Sequence, residues 1–373
     1  MTQSTPSAIV VGAGVVGLCT AWSLARRGAA VTVVERGSVP DPRAASCDHH
    51  RMIRLSYADP GYCARMTEAY AAWEALWADL PGPPTRYYHE RGVLTLSREP
   101  GDWGDRARAA MEAVGQPFER LEPGALAERF AHLEPSNEGY GFLSRGGCLM
   151  ANHILVDLAE RLRGQGAAIL EQSPATAIDA EAGEVSLADG RRLSADVVVL
   201  AGGVGAQALA PDLLPELWAR RTVILYADPP ADLAEAWASA PCWTDLGGEE
   251  DLWGLPPVDG LPLKLGCAIL GRDRPDPEDR TMRPEEIRRM LEVYRGRFRG
   301  IDRFQVRWGQ ANHFTCAPGD RFVLKRRDRL WAVSADSGHG FKFGALSGED
   351  VAAAALGEVP EAEAARRMAA LPA

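Results

Sequence analysis

The sequence predicts an α/β fold in which a parallel-sheet domain, present in three separate blocks, is interleaved with an α+β domain built on a mostly antiparallel sheet. A strand, a glycine-rich turn, a helix and a second strand follow one another between residues 8 and 35, and elements of this type return twice later. The stretches between these blocks carry strands separated by Gly and Pro. The predicted limits are 1–85, 148–219 and 317–373 for the first domain, and 86–147 and 220–316 for the second.

The composition is that of an ordinary globular protein and argues against several other classes. The chain has 373 residues, 46% of them hydrophobic, and at about 150 residues per domain its length favours two domains. A net charge of −10 argues against nucleic-acid binding. Without a signal peptide or an apolar stretch of about 20 residues, we expect no membrane contact and a cytoplasmic location. Seven cysteines without paired spacing indicate neither a disulfide framework nor a metal site.

The first element is a Rossmann-like βαβ unit. Ala8 to Val11 predicts a strand, which Gly12-Ala13-Gly14-Val15-Val16-Gly17 connects to a helix ending near Arg27, and Val31 to Val34 predicts the second strand. The first glycine permits a tight turn, the second lets the backbone approach a pyrophosphate, and the third allows the helix to pack closely on the strand. Glu35 follows the second strand, where a carboxylate can bind the ribose of an adenine dinucleotide.

The later elements follow in chain order. In the parallel blocks we expect a helix over 153–163, strands over 167–171, 184–188 and 196–200, a hairpin turn at Asp189-Gly190, and a last strand, loop and helix over 330–333, 334–340 and from about Gly344. In the second domain we expect one helix near 107–114, and one helix over 284–295 among the strands of 220–315.

Three segments together resemble the FAD-dependent amine and amino-acid oxidases of the D-amino-acid oxidase superfamily. They are Gly12 to Glu35, Arg51-Met52-Ile53-Arg54-Leu55-Ser56-Tyr57, and Ser337-Gly338-His339-Gly340-Phe341-Lys342-Phe343. A weaker match is Leu263-Lys264-Leu265-Gly266. The chain is most similar to the branch of monomeric sarcosine oxidase and N-methyltryptophan oxidase, over almost its whole length. The resemblance implies FAD rather than NAD, and it favours a monomer.

The resemblance also implies which residues form the site. Arg54 and Lys342 would bind the substrate carboxylate, and Lys264 would lie over the flavin ring near N5, where a cation assists the reaction with oxygen. Arg51 would lie beside the ring. The implied cofactor-binding residues are Gly12, Gly14, Val15, Val16, Gly17, Glu35, Arg36, Arg51, Ala175, Gly202, Gly338, His339, Gly340, Phe341 and Lys342. The implied reaction is hydride transfer from the carbon next to nitrogen, which gives an imine and, with O2 as acceptor, hydrogen peroxide.

One departure from the family pattern concerns how the flavin is held. The branch attaches its flavin to a cysteine, and in the matching segment, Asn312-His313-Phe314-Thr315, an asparagine stands at that position. Asparagine cannot form a thioether, so we expect non-covalent FAD. Cys316, four residues further on, stays open as an alternative attachment point, although a small buried residue is its more common role.

Other departures concern the substrate pocket. Cys47 replaces a family histidine, although His49 and His50 lie close by and a small register shift could restore one. Ala268 replaces a second histidine, Phe314 replaces a tyrosine, and Trp253 stands where tyrosine is usual. These changes predict a roomier, less polar pocket and a substrate bulkier or more apolar than sarcosine. His153 and His313 have no motif support, and we expect structural or surface roles for both.

The leading hypothesis is therefore an FAD-dependent oxidase of a secondary amino acid, either N-methyl or cyclic. Two alternatives within redox chemistry are oxidation of a primary amine or amino acid, and a dehydrogenase that passes electrons to another protein. An NAD-dependent dehydrogenase is disfavoured by the loop 337–343. A flavin-binding subunit or scaffold without turnover is the alternative from another class. The retained Arg54, Lys264 and Lys342 argue against it, because an inert protein has no need of these charges.

Overall fold

The structure is a computed structural model that describes residues 5–134, 139–245 and 250–372. All helices within these ranges fall short of the length and apolarity that a membrane crossing requires. They are α1 (Val15–Arg26), α2 (Pro60–Asp79), α3 (Trp103–Ala113), α4 (Pro123–Arg129), α5 (Ala151–Gly164), α6 (Ala206–Leu209), α7 (Ala234–Ala238), α8 (Pro284–Val293), α9 (Gly340–Ala355) and α10 (Glu361–Met368). The cytoplasmic location stays a prediction.

A six-stranded sheet organises the first domain, with the spatial order β20-β21-β13-β1-β2-β9. Its strands are β1 (Ser7–Val11), β2 (Ala30–Val34), β9 (Ala168–Leu170), β13 (Val197–Leu200), β20 (Val323–Arg327) and β21 (Leu330–Ser334). Neighbouring strands are parallel except β20 and β21, which are antiparallel. The parallel centre confirms the Rossmann-like prediction.

Both faces of this sheet are buried, which explains the uninterrupted apolar runs of its central strands. On one face Val10, Val33 and Val199 join the core formed with α1, α2, α5 and α9. On the other face Ile9 and Val198 join a smaller core beneath an antiparallel sheet of three strands. That sheet contains β10 (Ala175–Asp179), β11 (Glu184–Leu187) and β12 (Arg192–Ser194), and the predicted hairpin connects its last two strands.

The largest sheet has nine strands and is antiparallel except where β5 and β15 pair in parallel. Its strands are β5 (Val93–Ser97), β6 (Phe118–Leu121), β7 (Tyr140–Ser144), β14 (Trp218–Asp228), β15 (Cys242–Asp245), β16 (Leu252–Leu255), β17 (Leu263–Gly266), β18 (Arg272–Asp273) and β19 (Gln305–Cys316). Val223, Leu225 and Met290 belong to a second hydrophobic core between one face of the sheet and α8. The predicted mostly antiparallel sheet is confirmed.

A small antiparallel sheet carries the Arg51 and Arg54 segment. It contains β3 (Arg51–Arg54), β4 (Tyr88–Glu90) and β8 (Gly146–Leu149), with β8 in the middle. Strand β8 runs through the predicted limit at 147/148, and β14 runs through the one at 219/220. The division into domains at these residues therefore stays a prediction.

Two predicted elements need correction. The last long helix, α9, begins at Gly340 rather than near Gly344. Gly344 lies within the helix and faces α1, where a Cβ would lie 2.5 Å from a side-chain carbon of Val15. Glycine at this position permits close helix packing, which a reading based on helix propensity misses. The stretch 220–315 also contains a short helix, α7, before α8, so the expectation of one helix was wrong.

Candidate active site

A cavity of about 700 Å³ lies between the parallel sheet and the nine-stranded sheet, a volume typical of cofactor and ligand sites. All predicted site residues except Gly17 line it. The structure thus brings together residues from three segments of the first domain and from strands β16, β17 and β19 of the large sheet. The individual roles of these residues stay predictions.

The glycine turn forms the nucleotide end of the cavity. Gly12 has a φ of +107°, and a Cβ at this residue would lie 2.4 Å from the carbonyl oxygen of Ala201, so only glycine fits. Helix α1 begins at Val15 without a side-chain cap at Gly14. The N–H of Val15 donates a 3.0 Å hydrogen bond to Ser46 Oγ, and the first turn presents its positive dipole end to the cavity, as a pyrophosphate requires.

Glu35 is a buried carboxylate at the end of β2. Its Oε2 accepts a hydrogen bond of 2.7 Å from the N–H of Ala13, and its Oε1 accepts one of 3.0 Å from the N–H of Gly37. These two donors fix the carboxylate against the glycine turn. It lines the cavity from there, in the position predicted for binding a ribose.

Gly17 differs from the other glycines of the motif because it does not line the cavity. A Cβ at Gly17 would lie 1.9 Å from the carbonyl oxygen of Gly12, inside the turn itself. This close contact is the helix packing that the motif predicts for its third glycine, and a direct role of Gly17 in cofactor binding stays a prediction.

A second helix N-terminus opens onto the same cavity. Helix α9 begins at Gly340 after His339, again without a side-chain cap, and it packs against α1. A Cβ at Gly340 would lie 1.8 Å from the carbonyl oxygen of Ala335, so the chain can turn into the helix here only with glycine. The two positive helix ends and the glycine cradle are the features that an FAD pyrophosphate and flavin carbonyl edge need.

Arg54 is buried and lies between two aromatic rings. Its guanidinium carbon is 4.6 Å from the ring centroid of Tyr57 and 4.7 Å from that of Trp103, and Nη1 donates a 2.6 Å hydrogen bond to the carbonyl oxygen of Ser56. Stacking fixes the plane of the guanidinium. In the described part of the chain, no carboxylate forms a salt bridge with Arg54 or with Lys342. Both cations are therefore available to an anionic ligand.

Lys342 extends from the first turn of α9 into the cavity. Burial is the main cause that lowers its pKa well below the ordinary lysine value, and the nearby Arg54 and Arg51 lower it further. A ligand carboxylate would supply the missing negative charge and favour the ammonium form. Arg54 and Lys342 thus line one cavity, and their role as a carboxylate site stays a prediction.

Lys264 is fully buried on β17, and Asp48 is its ionic partner. Its Nζ donates a 2.5 Å hydrogen bond to Asp48 Oδ2 and a 2.9 Å hydrogen bond to the carbonyl oxygen of His50. Arg51 binds the same carboxylate oxygen through Nη1, and Nη2 donates to the carbonyl oxygen of Ala45 at 2.5 Å. Burial, followed by the charge of Arg51, lowers the pKa of Lys264. One carboxylate therefore holds both predicted flavin-side cations.

Asp48 and Tyr226 are residues that the sequence analysis missed. Tyr226 pairs with Lys264 across β14 and β17, and its hydroxyl donates a 2.6 Å hydrogen bond to Asp48 Oδ1. The Tyr226 ring also stacks on the His50 imidazole, with 5.7 Å between the ring centroids. Asp48 precedes Arg51 by three residues but belongs to no recognised motif, so the sequence carried no signal for it.

The pocket wall contains the substituted family positions. Trp253 lies with its ring centroid 5.7 Å from Lys264 Nζ, and Phe314 lies against Gly338, where a Cβ would contact the ring at 3.3 Å. Ala268 lines the cavity beside them, whereas Cys47, His49 and His50 do not line it. No register shift therefore restores an imidazole at this wall. The less polar substrate pocket stays a prediction.

Asn312 lines the cavity, whereas Cys316 does not. Cys316 is buried, and burial is the main cause that raises the pKa of its thiol to about 12. A thiol in this state is a poor nucleophile, since the thiolate is the reactive form. Both observations argue against Cys316 as the attachment point of a flavin. His313 is buried, with its Nε2 3.1 Å from the carbonyl oxygen of Asp279, and it borders the cavity.

Asp336 is a further cavity residue that the sequence analysis missed. It lies in the loop before α9, where its carboxylate accepts long hydrogen bonds from the N–H groups of Thr315 (3.4 Å) and Gly338 (3.3 Å). Burial raises the pKa of Asp336 to about 6, and the charges of Arg51 and Lys342 oppose that increase. The cavity therefore contains a carboxyl group that titrates just below neutral pH.

Comparisons with known proteins agree with this geometry. Over 355 residues the chain is 24% identical to peroxisomal sarcosine oxidase of Mus musculus, which covers 92% of this chain and 90% of that relative. It is 26% identical to N-methyl-L-tryptophan oxidase of Citrobacter koseri, with 94% and 95% covered. Among solved structures, NikD, described as an unusual amino acid oxidase essential for nikkomycin biosynthesis, superposes with a TM-score of 0.80 at 21% identity and 95% coverage of both chains.

A family model matches almost the whole chain. The model described as FAD dependent oxidoreductase matches residues 7–354. The match spans the glycine turn, the Arg51 and Arg54 segment, Lys264 and the loop before α9, so it covers every part of the cavity described above. The predicted resemblance, fold class and cofactor are confirmed. The chain belongs to the family of FAD dependent oxidoreductases.

Proposed function

We propose that this protein is an FAD-dependent oxidase of a secondary amino acid, either N-methyl or cyclic, that is bulkier or more apolar than sarcosine. The observation that carries the proposal is the pair of basic side chains, buried Arg54 and half-buried Lys342, that face the cavity without a carboxylate partner among the described residues. An amino-acid carboxylate matches this pair in charge. The apolar wall of Trp253, Ala268 and Phe314 favours a substrate with an apolar substituent.

The protein's own residues would bind and orient the substrate. Arg54, held in plane by Tyr57 and Trp103, would accept the carboxylate on its guanidinium edge, while Lys342 would bind it as a point charge. Fixing the carboxylate at two cations leaves the substrate little rotational freedom, so its reacting carbon would be held at one place. Trp253 and Phe314 would exclude water from that place.

The charge of the site would also set the protonation state of the amine. Arg51, Lys264 and Lys342 lie around one cavity, and positive charge nearby disfavours a protonated amine. The neutral amine, which releases hydride more readily, is therefore favoured without a dedicated base. FAD held in this cavity would supply the two-electron acceptor for oxidation of the amine to an imine, which water would hydrolyse, and O2 with two electrons and two protons would give hydrogen peroxide.

Lys264 would act on the oxygen reaction. A buried ammonium with an N–H directed to the cavity stabilises negative charge that develops on reduced oxygen, in a site where water does not screen it. This role distinguishes the oxidase from the second candidate, a dehydrogenase of the same substrates. An oxidase of primary amino acids would use the same carboxylate site. Only a comparison of substrates distinguishes it from an oxidase of secondary amino acids.

The experiment that tests the proposed function is a peroxide-coupled screen of the purified FAD-loaded protein. It compares sarcosine with larger N-methyl, cyclic and primary amino acids. We expect the highest kcat/KM for a secondary amino acid larger than sarcosine. Faster turnover of sarcosine contradicts the pocket argument, and reduction without peroxide identifies a dehydrogenase. Flavin that is never reduced by any of these compounds supports the scaffold alternative.

The mode of flavin attachment has its own test. Since Asn312 cannot form a thioether and Cys316 lies away from the cavity, we propose that FAD is bound without a covalent bond. Precipitation with trichloroacetic acid should leave a colourless pellet and a yellow supernatant. Yellow colour that stays in the pellet contradicts the proposal, and the Cys316→Ser variant then shows whether Cys316 is the attachment point.

A further inference from the structure

The carboxylate of Asp48 has every acceptor position occupied. Oδ1 accepts from the Tyr226 hydroxyl at 2.6 Å and from the N–H of His49 at 2.8 Å, and Oδ2 accepts from Lys264 and Arg51. Two cations and two neutral donors strongly favour the ionised form of a buried carboxylate. Asp48 is therefore a fixed negative charge at the side of the cavity.

The backbone around Asp48 is fixed as well. Its N–H donates a 3.1 Å hydrogen bond to the side chain of Asn152 in the first turn of α5. Asp48 and the His50 carbonyl together take two of the three ammonium hydrogens of Lys264, at 2.5 and 2.9 Å. Among the described residues no protein acceptor takes the third, and Lys264 lines the cavity. One N–H of Lys264 thus remains for a cavity ligand.

We propose that Asp48 is the positioning residue of this site, which keeps Lys264 in its ammonium form and directs its remaining N–H into the cavity. Burial and the charge of Arg51 act against the ammonium, and the Asp48 carboxylate is the one anionic group within hydrogen-bond distance of Nζ in the part of the chain that the structure describes. Without Asp48, the fully buried Lys264 and the partly buried Arg51 would both lose the carboxylate that binds them. Lys264 is the one that can lose a proton, since arginine stays charged.

The proposal concerns protonation, so every titratable or charged neighbour of Lys264 matters. These groups are Asp48, His49, His50, Arg51, Cys148, Tyr226 and Lys342. Burial lowers the pKa of His50 well below its ordinary value and raises that of Tyr226 well above it, so both are neutral near pH 8. Burial lowers the pKa of Lys342 as well as that of Lys264. The assignment therefore needs a variant that lacks Lys264.

The test measures the midpoint potential of the FAD-loaded protein in the absence of any amine substrate. Electron uptake places negative charge on bound FAD, and a nearby ammonium stabilises it, so the midpoint potential reports the charge of Lys264. The potential is measured between about pH 6 and about pH 10, a range below the ordinary lysine pKa of about 10.4. This readout rests on the proposed place of Lys264 beside FAD, but not on the proposed substrate.

We expect Asp48→Asn to move the inflection assigned to Lys264 down by about two pH units, the size of the loss of a close opposite charge. Asp48→Glu should restore most of the shift, and Asp48→Asn in a Lys264→Met background should show no such inflection. Glu286→Gln, which changes an equally buried carboxylate away from the cavity, is the matched control and should leave the profile unchanged. An Asp48→Asn profile that superposes on the wild-type profile overturns the proposal.

A second measurement covers the cases in which Asp48→Asn binds FAD poorly or Lys264→Met leaves the potential unchanged. The thermal unfolding midpoints of Asp48→Asn, Lys264→Met and the double variant form a mutant cycle on the protein. We expect the double variant to lose less stability than the sum of the single variants. Additive losses contradict the proposal. An unchanged midpoint potential in Lys264→Met, by contrast, contradicts the proposed place of Lys264 beside FAD. The mutant cycle then remains as the test of whether Asp48 and Lys264 interact.

Discussion

Two buried ion-pair clusters lie on opposite faces of the nine-stranded sheet. On the cavity face, Lys264 and Tyr226 pair across β17 and β14, and both bind Asp48. On the opposite face, Arg221 of the same strand β14 binds Glu286 of α8 with two hydrogen bonds of 2.8 and 3.1 Å. Both cations are fully buried, and both have a buried carboxylate partner. Burial and pairing alone therefore do not separate a structural charge from a functional one.

The clusters differ in whether the cation borders the cavity. Nε and Nη2 of Arg221 also bind the carbonyl oxygens of Asp279 and Thr281, at 3.1 and 2.7 Å, so four of its five N–H hydrogens have protein acceptors, and Arg221 does not line the cavity. Lys264 uses two of its three hydrogens and borders the cavity. A buried cation away from any cavity stabilises the fold, whereas one with a donor left toward a cavity can act on a ligand.

The largest effect should come from removing the cavity-facing cation. In Lys264→Met, we expect the rate of reoxidation of the reduced enzyme by O2 to fall about 10²- to 10³-fold, the size seen when a buried electrostatic stabiliser is lost. Anaerobic reduction by the amine should fall far less. Stopped-flow measurements of the two half-reactions check this. Equal losses in both half-reactions would show that Lys264 has no special role with oxygen.

Breaking the opposite cluster should change stability and leave the chemistry intact. We expect Glu286→Gln to lower the free energy of unfolding by about 2–3 kcal/mol, because Arg221 loses a charged partner while Asp279 remains near it. Urea denaturation of the FAD-loaded protein measures the loss. At a temperature where the variant is folded, both half-reaction rates should stay within about twofold of the wild-type rates. A twofold change in rate corresponds to about 0.4 kcal/mol of activation free energy. A larger loss of rate would mean that the two faces of the sheet are coupled.

A third comparison separates a cation with a free donor from one paired at the surface. We expect Lys342→Met to raise KM about tenfold, equivalent to about 1.4 kcal/mol, because the substrate carboxylate loses one of two cations. Lys325→Met is the control, since Lys325 pairs with Glu216 at the surface, 2.6 Å apart. Steady-state kinetics on both variants check this. A similar KM change in both would point to the net charge of the protein rather than to a carboxylate site.

The sequence predicted the parts of this molecule that depend on local patterns. The glycine turn, the segment from Arg51 to Arg54 and the loop before α9 are short motifs, and nearly all their residues line one cavity. Asp48 could not be predicted in this way, because its partners Tyr226 and Lys264 lie 178 and 216 residues further along the chain. Register between distant strands brings them together, and no spacing rule in the sequence encodes that register.

The glycine motif carries more information than a list of positions. It predicts that the backbone at Gly14 approaches a ligand and that Gly17 allows close helix packing. Gly17 contacts the backbone of Gly12, whereas Gly14 borders the cavity. Asp336 was missed although it precedes a recognised loop, because its raised pKa results from burial that appears only in the folded chain.

The smallest expected effect concerns Asp336, whose pKa of about 6 makes the charge of the cavity depend on pH. As pH falls through 6 the carboxyl group takes up a proton, so the cavity gains one unit of positive charge relative to neutral pH. We expect a simple carboxylate ligand such as acetate to bind a few-fold more tightly at about pH 5.5 than at about pH 8, since a screened charge contributes about 1 kcal/mol or less. Titration of the bound FAD absorbance measures the dissociation constant.

The control for this prediction is Asp350 on α9, where burial also raises the pKa to about 6. Asp350 pairs with Arg65 and does not line the cavity. Asp336→Asn should abolish the pH dependence and bind acetate at pH 8 as tightly as the wild type does at low pH. Asp350→Asn should keep the wild-type pH dependence. If both variants keep it, the titrating group is another one, and Lys342→Met and Lys264→Met then test the two cavity lysines, whose pKa values burial lowers.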